Sequence, residues 1–267
     1  MSGLPPIQPP SGFSNYPRTG GSPSGGLYTR PPGIYFDYIL TAWQIIQADL
    51  GNWVLMSFLT GIVTQVISVP FTFLGNFIAY GDLLGMSRVG FDLGKYLLAT
   101  AIGLIGAFAA YPIHTGMMMA GLKAVRGERV TPGDLFSAYP RFLHVIPAYF
   151  LMFLGTTLGS IFFLLPGIYL AGALSFSQLL VVDRKMSCLE ALRTSFNTLK
   201  SLGSGLGMFA LIFVALLASC LGLLACGIGV VFTAPIYSIV IALTYNNYFP
   251  PQTAASGYHA IGMEPPR

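Results

Sequence analysis

LLPGIYLAGALSFSQLLVVDRKMSCLEALRTSFNTLK, residues 164–200, holds the three kinds of segment from which most of this chain is built. As far as Val182 the stretch is apolar but for hydroxyls and Gln178, a composition suited to a membrane interior. Asp183, Arg184 and Lys185 then end the apolar run. Ser187 and Glu190 follow with the S-x-x-E spacing of a helix-capping box. Beyond them Leu189, Leu192, Phe196 and Leu199 recur at helical spacing, with Arg193, Asn197 and Lys200 facing away. The pattern predicts a span, a basic loop, and an amphipathic helix lying on the membrane surface.

Composition extends that reading to the whole chain. Of 267 residues, 54% are hydrophobic and only 8% charged, with a mean hydropathy of +0.70. Soluble domains carry roughly 25% charged residues. A net charge of +4 reports membrane orientation here and gives no reason to expect nucleic-acid binding. Cys188, Cys220 and Cys226 have no metal-ligand spacing and are expected to pack as small apolar side chains.

Residues 1–36 are rich in Pro, Gly and Ser and are expected to form a disordered cytoplasmic tail. No apolar secretory core occurs in them, so the first span is expected to direct insertion. Pro6 and Pro9 have the spacing of a polyproline ligand, which a plain flexible tail also shows. The membrane domain is expected over 37–249, followed by a short flexible tail over 250–267.

Six spans follow from apolar runs punctuated by charge: Trp53 to Tyr80, Tyr96 to Leu122, Phe142 to Leu165, Ile168 to Val182, Met208 to Cys226, and Val230 to Phe249. Pro70 and Pro112 fall within the first two, where a tilt or break is expected. Pro166-Gly167 and Gly227-Ile228-Gly229 read as tight turns, giving three successive hairpins. The basic residues test this arrangement, because they crowd into cytoplasmic loops. Lys123, Arg126, Arg129 and Arg141 follow the second span, and Arg184, Lys185, Arg193 and Lys200 follow the fourth. Both chain ends then belong in the cytoplasm.

Each hairpin is expected to be introduced by a short interfacial helix. Besides the one after Ser187, Thr131, Pro132 and Asp134 supply an N-cap, a first-turn proline and an acidic third position. Ahead of the first span, Ile39, Trp43, Ile46 and Leu50 form an apolar stripe opposite Asp37, Gln44, Gln47 and Asp49. Pro112-Ile113, Pro166-Gly167-Ile168-Tyr169 and Pro235-Ile236-Tyr237 recur in alternate spans, a hint of threefold repetition.

The stretch GLKAVRGERVTPGDLFSAYPRF, residues 121–142, the segment quoted at the outset, and PIYSIVIALTYNNYF, residues 235–249, resemble a broad group of uncharacterised bacterial integral membrane proteins. Related domains are sometimes fused to glycerophosphodiester phosphodiesterases. The resemblance covers roughly residues 37 to 249 and implies bacterial origin and this architecture; the expected location is the inner membrane. It implies no chemistry, and the proline-rich tail lies outside the shared pattern.

Residue chemistry points away from an enzyme. No GxSxG, HExxH or P-loop occurs, and no carboxylate pair is placed for acid and base work. No acidic or basic residue falls clearly inside a span, which weakens the case for an ion-coupled transporter. Gln65, Asn76, Gln178, Asn246 and Asn247 are expected to hydrogen-bond between helices; the alternative is a polar path. His114, Met117 and Met118 form the sharpest cluster. Their spacing offers soft ligands to copper(I), against the plainer reading of methionine as core filler, and no metal or cofactor is expected. His144 beside Arg141 reads as interfacial.

Small residues make packing faces at Gly155 and Gly159, at Gly103 and Ala107, and at Ala218 and Gly222. Packing within the monomer is the first reading of these faces. The function expected overall is that of a structural or accessory membrane protein that binds lipids, other membrane proteins or itself. The alternative is a transporter or channel for a small or lipidic solute. The eight loop bases form a cytoplasmic surface for anionic headgroups.

Overall fold

The computed structural model describes residues 33–80, 93–162, 164–201, 205–220 and 229–250. All regular structure among them is helical. Ten α-helices run α1 (Tyr38–Ala48), α2 (Leu50–Tyr80), α3 (Leu93–Val125), α4 (Phe142–Phe162), α5 (Leu164–Ala173), α6 (Ser177–Asp183), α7 (Cys188–Ser201), α8 (Gly205–Cys220), α9 (Val230–Thr233) and α10 (Pro235–Tyr248). Two short 3₁₀ turns, Pro132–Phe136 and Tyr139–Arg141, lead into α4.

Among the described residues, four stretches are long and apolar enough to cross a membrane: Leu50–Ala79, Leu93–Val125, Pro132–Ile161 and Pro166–Asp183. A fifth results if α7 and α8 count as one bent span. A multi-pass membrane protein is compatible with this set.

Helices α2 and α3 run antiparallel. Thr64 lies beside His114, Phe71 beside Gly106, and Gly75 beside Ala99, so position rises in one helix as it falls in the other. Pro70 and Pro112 sit inside these helices without ending them. Helix α4 pairs with α5 and α6 in the same sense, Gly159 meeting Gly167 and Met152 meeting Ser177. A side chain at Gly167 would collide with Ser160, which is why glycine stands there.

Three expectations are corrected. Pro166 and Gly167 do not form the turn between the third and fourth spans, because α5 already begins at Leu164 and Pro166 occupies its first turn, where a missing N–H costs nothing. The fourth span is two helices, broken at residues 174–176. The stripe on α1 is rotated: Tyr38, Thr41, Ala42, Ile45 and Ile46 are buried, while Leu50 opens α2 and is exposed. The first helix ends at Ala48, so Leu50 cannot continue its face. The turn expected at Gly227 and Ile228 lies outside the described residues, as do both tails over 1–32 and 251–267.

The break after Ala173 is held by α7. Ser195 Oγ donates to the Ala173 carbonyl at 2.8 Å and accepts the Phe176 N–H at 3.2 Å. Two backbone groups freed by the break are thereby satisfied, which a membrane interior demands. The same helix exposes Arg193, Asn197 and Lys200, as its spacing predicts, but of the expected apolar stripe only Leu199 is buried. Leu192 and Phe196 are half-buried and Leu189 is exposed; Ala191 and Ser195 carry the buried face because Ser195 turns toward the α5–α6 break. Half of the capping box is present, the Ser187 N–H donating to Glu190 Oε2 at 3.4 Å. At the other predicted cap, the Thr131 N–H donates to Asp134 Oδ2 at 2.8 Å.

The buried core gathers at the end of the bundle that carries the basic loops. It joins α1, the start of α2, the second half of α3, α6 and α7 around α10. Buried residues run almost unbroken from Pro235 to Asn247 in α10. Toward the opposite end, large apolar side chains on α2, α3, α4 and α8, among them Phe77, Leu97, Ile161 and Leu217, remain exposed, as lipid-facing residues would be.

Candidate functional site

Two polar regions stand out. The first, at the basic end, holds the structure together. Arg126 grips Asp183 with two nitrogens, at 2.6 and 2.9 Å, and its Nε donates to Asn246 Oδ1 at 3.4 Å. Tyr245 donates to Asp183 at 2.9 Å. Burial opposes the charge of Arg126, but the hydrogen bond and charge of Asp183 outweigh it and hold the guanidinium charged more firmly than usual. Lys123 meets Asp134 at 2.6 Å, Arg184 donates to the Pro250 carbonyl at 2.7 Å, and Arg141 reaches the Val181 carbonyl at 3.3 Å. Of the eight bases expected to form a headgroup surface, Lys123, Arg126, Arg141 and Arg184 are thus engaged inside the protein. Arg129, Lys185, Arg193 and Lys200 remain for the surface, and all four are exposed.

The second region lies deeper. Arg126 marks the basic end of α3; Met118 and Tyr111 precede it by eight and fifteen residues, or about 12 and 22 Å of helix. If Arg126 stands at the edge of a hydrocarbon core about 30 Å thick, both distances fall inside it. There a cavity of about 340 Å³ is lined by Thr64, Ser68, Tyr111, His114, Met118, Tyr149 and Tyr237 among others. Beside it, sharing Tyr111, Met118 and Tyr237, lies a cavity of about 170 Å³ that also meets Met152, Thr156, Ser175, Gln178 and Phe209. Thr156, Ala171 and Phe209 in turn line a groove of about 450 Å³ between α4, α5 and α8. That groove opens at the surface near Ile161, which is 71% exposed. The smallest space thus shares walls with both of the others.

Aromatic rings shape the chamber. Tyr111 stacks on Tyr149 with centroids 3.3 Å apart, and Phe108 meets Tyr149 edge-on. Thr64 Oγ1 lies 3.4 Å from His114 Nε2. Gln178 is 1% exposed, yet neither its amide nitrogen nor its amide oxygen has a hydrogen-bond partner, and the hydroxyl of Ser175 is likewise unpaired. Among the described residues, no Asp, Glu, Lys or Arg lines any of the three spaces.

The sequence-predicted candidates are distributed as follows. His114 and Met118 line the chamber, and Met117 is buried in the core. No three His, Cys, Asp or Glu side chains come together as a metal site among the described residues. Asn246 and Asn247 bond across helices, Asn247 donating to Tyr38 at 2.5 Å, whereas Gln178 does not. Gln65 and Asn76 are exposed, and so is His144. Gly159 packs on Gly167, and Ala107 lines the larger cavity. Gly103 and Gly155 face open space, a methyl at either meeting nothing within 4 Å. Ala218 is half-buried and Gly222 lies outside the described residues.

Tyr111, Tyr149, Tyr237 and Ser175 were not singled out from the sequence as chamber residues. Their signal was position: tyrosine concentrates at membrane interfaces, so one in mid-span needs a polar reason.

No protein-family profile and no solved structure matches the chain. It is 25% identical over 174 residues to "Uncharacterized protein Rv2560" of Mycobacterium tuberculosis (strain ATCC 25618 / H37Rv), which covers 63% of this chain and 52% of that protein. "Uncharacterized protein Mb2590" of Mycobacterium bovis (strain ATCC BAA-935 / AF2122/97) shows the same identity and coverage. The chain spans about half the length of the curated relatives it matches.

Proposed function

We propose that this is a non-enzymatic, multi-pass protein of a bacterial inner membrane that admits a small or lipidic solute to the chamber around Tyr111 and Gln178. The carrying observation is Gln178, a fully buried amide left without partners beside a cavity. Solute sites of membrane proteins favour mid-depth, and irregular backbone such as the α5–α6 break is tolerated where it lines one. In this reading α2, α3, α4, α5 with α6, α8, and α9 with α10 make six spans in three hairpins. Helix α7, α1 and the 3₁₀ turns lie at the interface; the 103° bend between α7 and α8 supports this for α7. Both termini are cytoplasmic, on the side of the clustered bases.

Two measurements test the proposal. In a cysteine-free background, single cysteines at Ser14, Ser187 and Ser256 should resist a membrane-impermeant maleimide applied to spheroplasts, and one at Ser87 should react. Reaction at either tail overturns the six-span topology. Liposomes containing the protein should scramble an NBD-labelled phospholipid or swell with glycerol faster than empty ones, and Ala171→Trp, which fills the lining, should remove the gain. No gain in either assay rejects solute passage.

A second reading, an accessory or structural subunit, is favoured by Gly103 and Gly155, whose surfaces no described residue covers. Gly155→Cys should then crosslink to a neighbour in native membranes, and absence of any adduct counts against it.

A further inference from the structure

We infer that the inner cavity is a binding site for the uncharged head of an amphiphile, a ligand offering both a hydrogen-bond donor and an acceptor on an apolar chain, such as a glycerol ester. This rests on the chamber reading of the preceding subsection and deepens it.

The head is specified by what the cavity lacks and what it leaves unpaired. A carboxamide has two donors and an acceptor, and Gln178 satisfies none of them within the protein. Ser175 adds a hydroxyl that can either donate or accept. An apolar occupant would leave those groups unpaired. A charged one would meet no counter-charge among the described residues, since none of their carboxylates, ammoniums or guanidiniums lines the site, and burying an unpaired charge is costlier than burying a hydroxyl. Only an uncharged group with hydroxyl, ester or amide character satisfies both conditions.

The chain is specified by the approach. The 450 Å³ groove shares Thr156, Ala171 and Phe209 with the inner cavity and also meets the exposed Ile161. Its walls are mostly apolar, with Phe153 and Ile168 beside the shared residues. A ligand with an alkyl tail can therefore keep the tail in the groove, on the bilayer side, while its head reaches Gln178. Space sets a limit too: the inner cavity, about 170 Å³, takes a glycerol-sized group and no large glycan.

Full-length protein in phosphatidylcholine vesicles can be photolabelled with a monoacylglycerol carrying a chain diazirine. A fatty acid and an alkyltrimethylammonium with the same chain and diazirine give the charged comparisons. Labelling by the monoacylglycerol should saturate, fall on peptides of α4, α5 and α8, and be competed by unlabelled monoacylglycerol. Gln178→Leu should weaken it about tenfold, as the loss of one buried hydrogen-bonding partner predicts. Ala171→Trp should abolish it, and Leu217→Trp on the lipid face should not. Gln178→Leu should also hold or raise the melting temperature of the ligand-free protein, because it removes an unpaired buried amide. A fall in melting temperature, or unchanged labelling, makes Gln178 a structural residue and overturns the inference. Equal or stronger saturable labelling by a charged analogue overturns the class of ligand and leaves the chamber reading standing. Absence of saturable labelling by all three overturns both.

Discussion

Arg126, one residue beyond the end of α3, and Asp183, the last residue of α6, meet in a two-pronged ion pair of 2.6 and 2.9 Å, with Tyr245 of α10 donating to the same carboxylate. Three elements far apart in sequence are thus tied at one point, largely out of water. Removing one partner of such a pair leaves an uncompensated charge, at a cost of about 3–5 kcal/mol. Asp183→Asn and Arg126→Met should each lower the stability of detergent-solubilised protein by about that much. The double variant should lose clearly less than the sum, measured by denaturant titration as a double-mutant cycle. Additive losses reject the coupling.

Ser195 bridges the break between α5 and α6 through two backbone hydrogen bonds. Its replacement by Ala strands the Phe176 N–H and the Ala173 carbonyl in a buried setting, costing about 1–3 kcal/mol. Amide exchange at Phe176 should accelerate with it. Unchanged exchange there means the break holds itself.

Two glycines of one chemical type should respond in opposite ways. A methyl at Gly116 would run into the Leu135 backbone, whereas one at Gly155 meets nothing within 4 Å. Gly116→Ala should be destabilising by about 3 kcal/mol or prevent folding, since backbone cannot yield as a side chain does. Gly155→Ala should raise stability by up to about 1 kcal/mol, since Gly155 lies inside α4 with room for the methyl and alanine is the better helix former. Thermal melts of both variants decide the matter; similar values contradict the packing.

Lys185 takes a backbone φ of 55°, the left-handed region, just after α6. That conformation costs a residue with a β-carbon roughly 1–2 kcal/mol and glycine almost nothing. Lys185→Gly should therefore raise the melting temperature, by an amount corresponding to up to about 1 kcal/mol once the greater freedom of unfolded glycine is counted. A lower melting temperature means that the lysine side chain stabilises the loop by more than its backbone costs.

Helix locations were legible because membrane chemistry is written locally. Apolar runs long enough to cross, a basic loop after Val182 and the helical spacing of Leu189, Leu192, Phe196 and Leu199 need no knowledge of distant residues. The Thr131–Asp134 cap was legible for the same reason, its partners lying three residues apart. Errors arose where a neighbour out of local reach decides. The break after Ala173 is tolerated because Ser195 arrives from α7, and the face of α1 is set by α10, whose Asn247 binds Tyr38.

The sequence by itself determined the apolar character of this protein, its helical class and where charge interrupts the apolar runs, because these depend on composition and on spacing within a few residues. Tertiary structure alone decided that four of the loop bases are bound internally, that Asn246 and Asn247 find partners, and that Gln178, an amide like them, finds none. Hydrogen bonding is satisfied or frustrated only where helices meet, so chemically alike residues become a tie or a vacancy according to the wall they face.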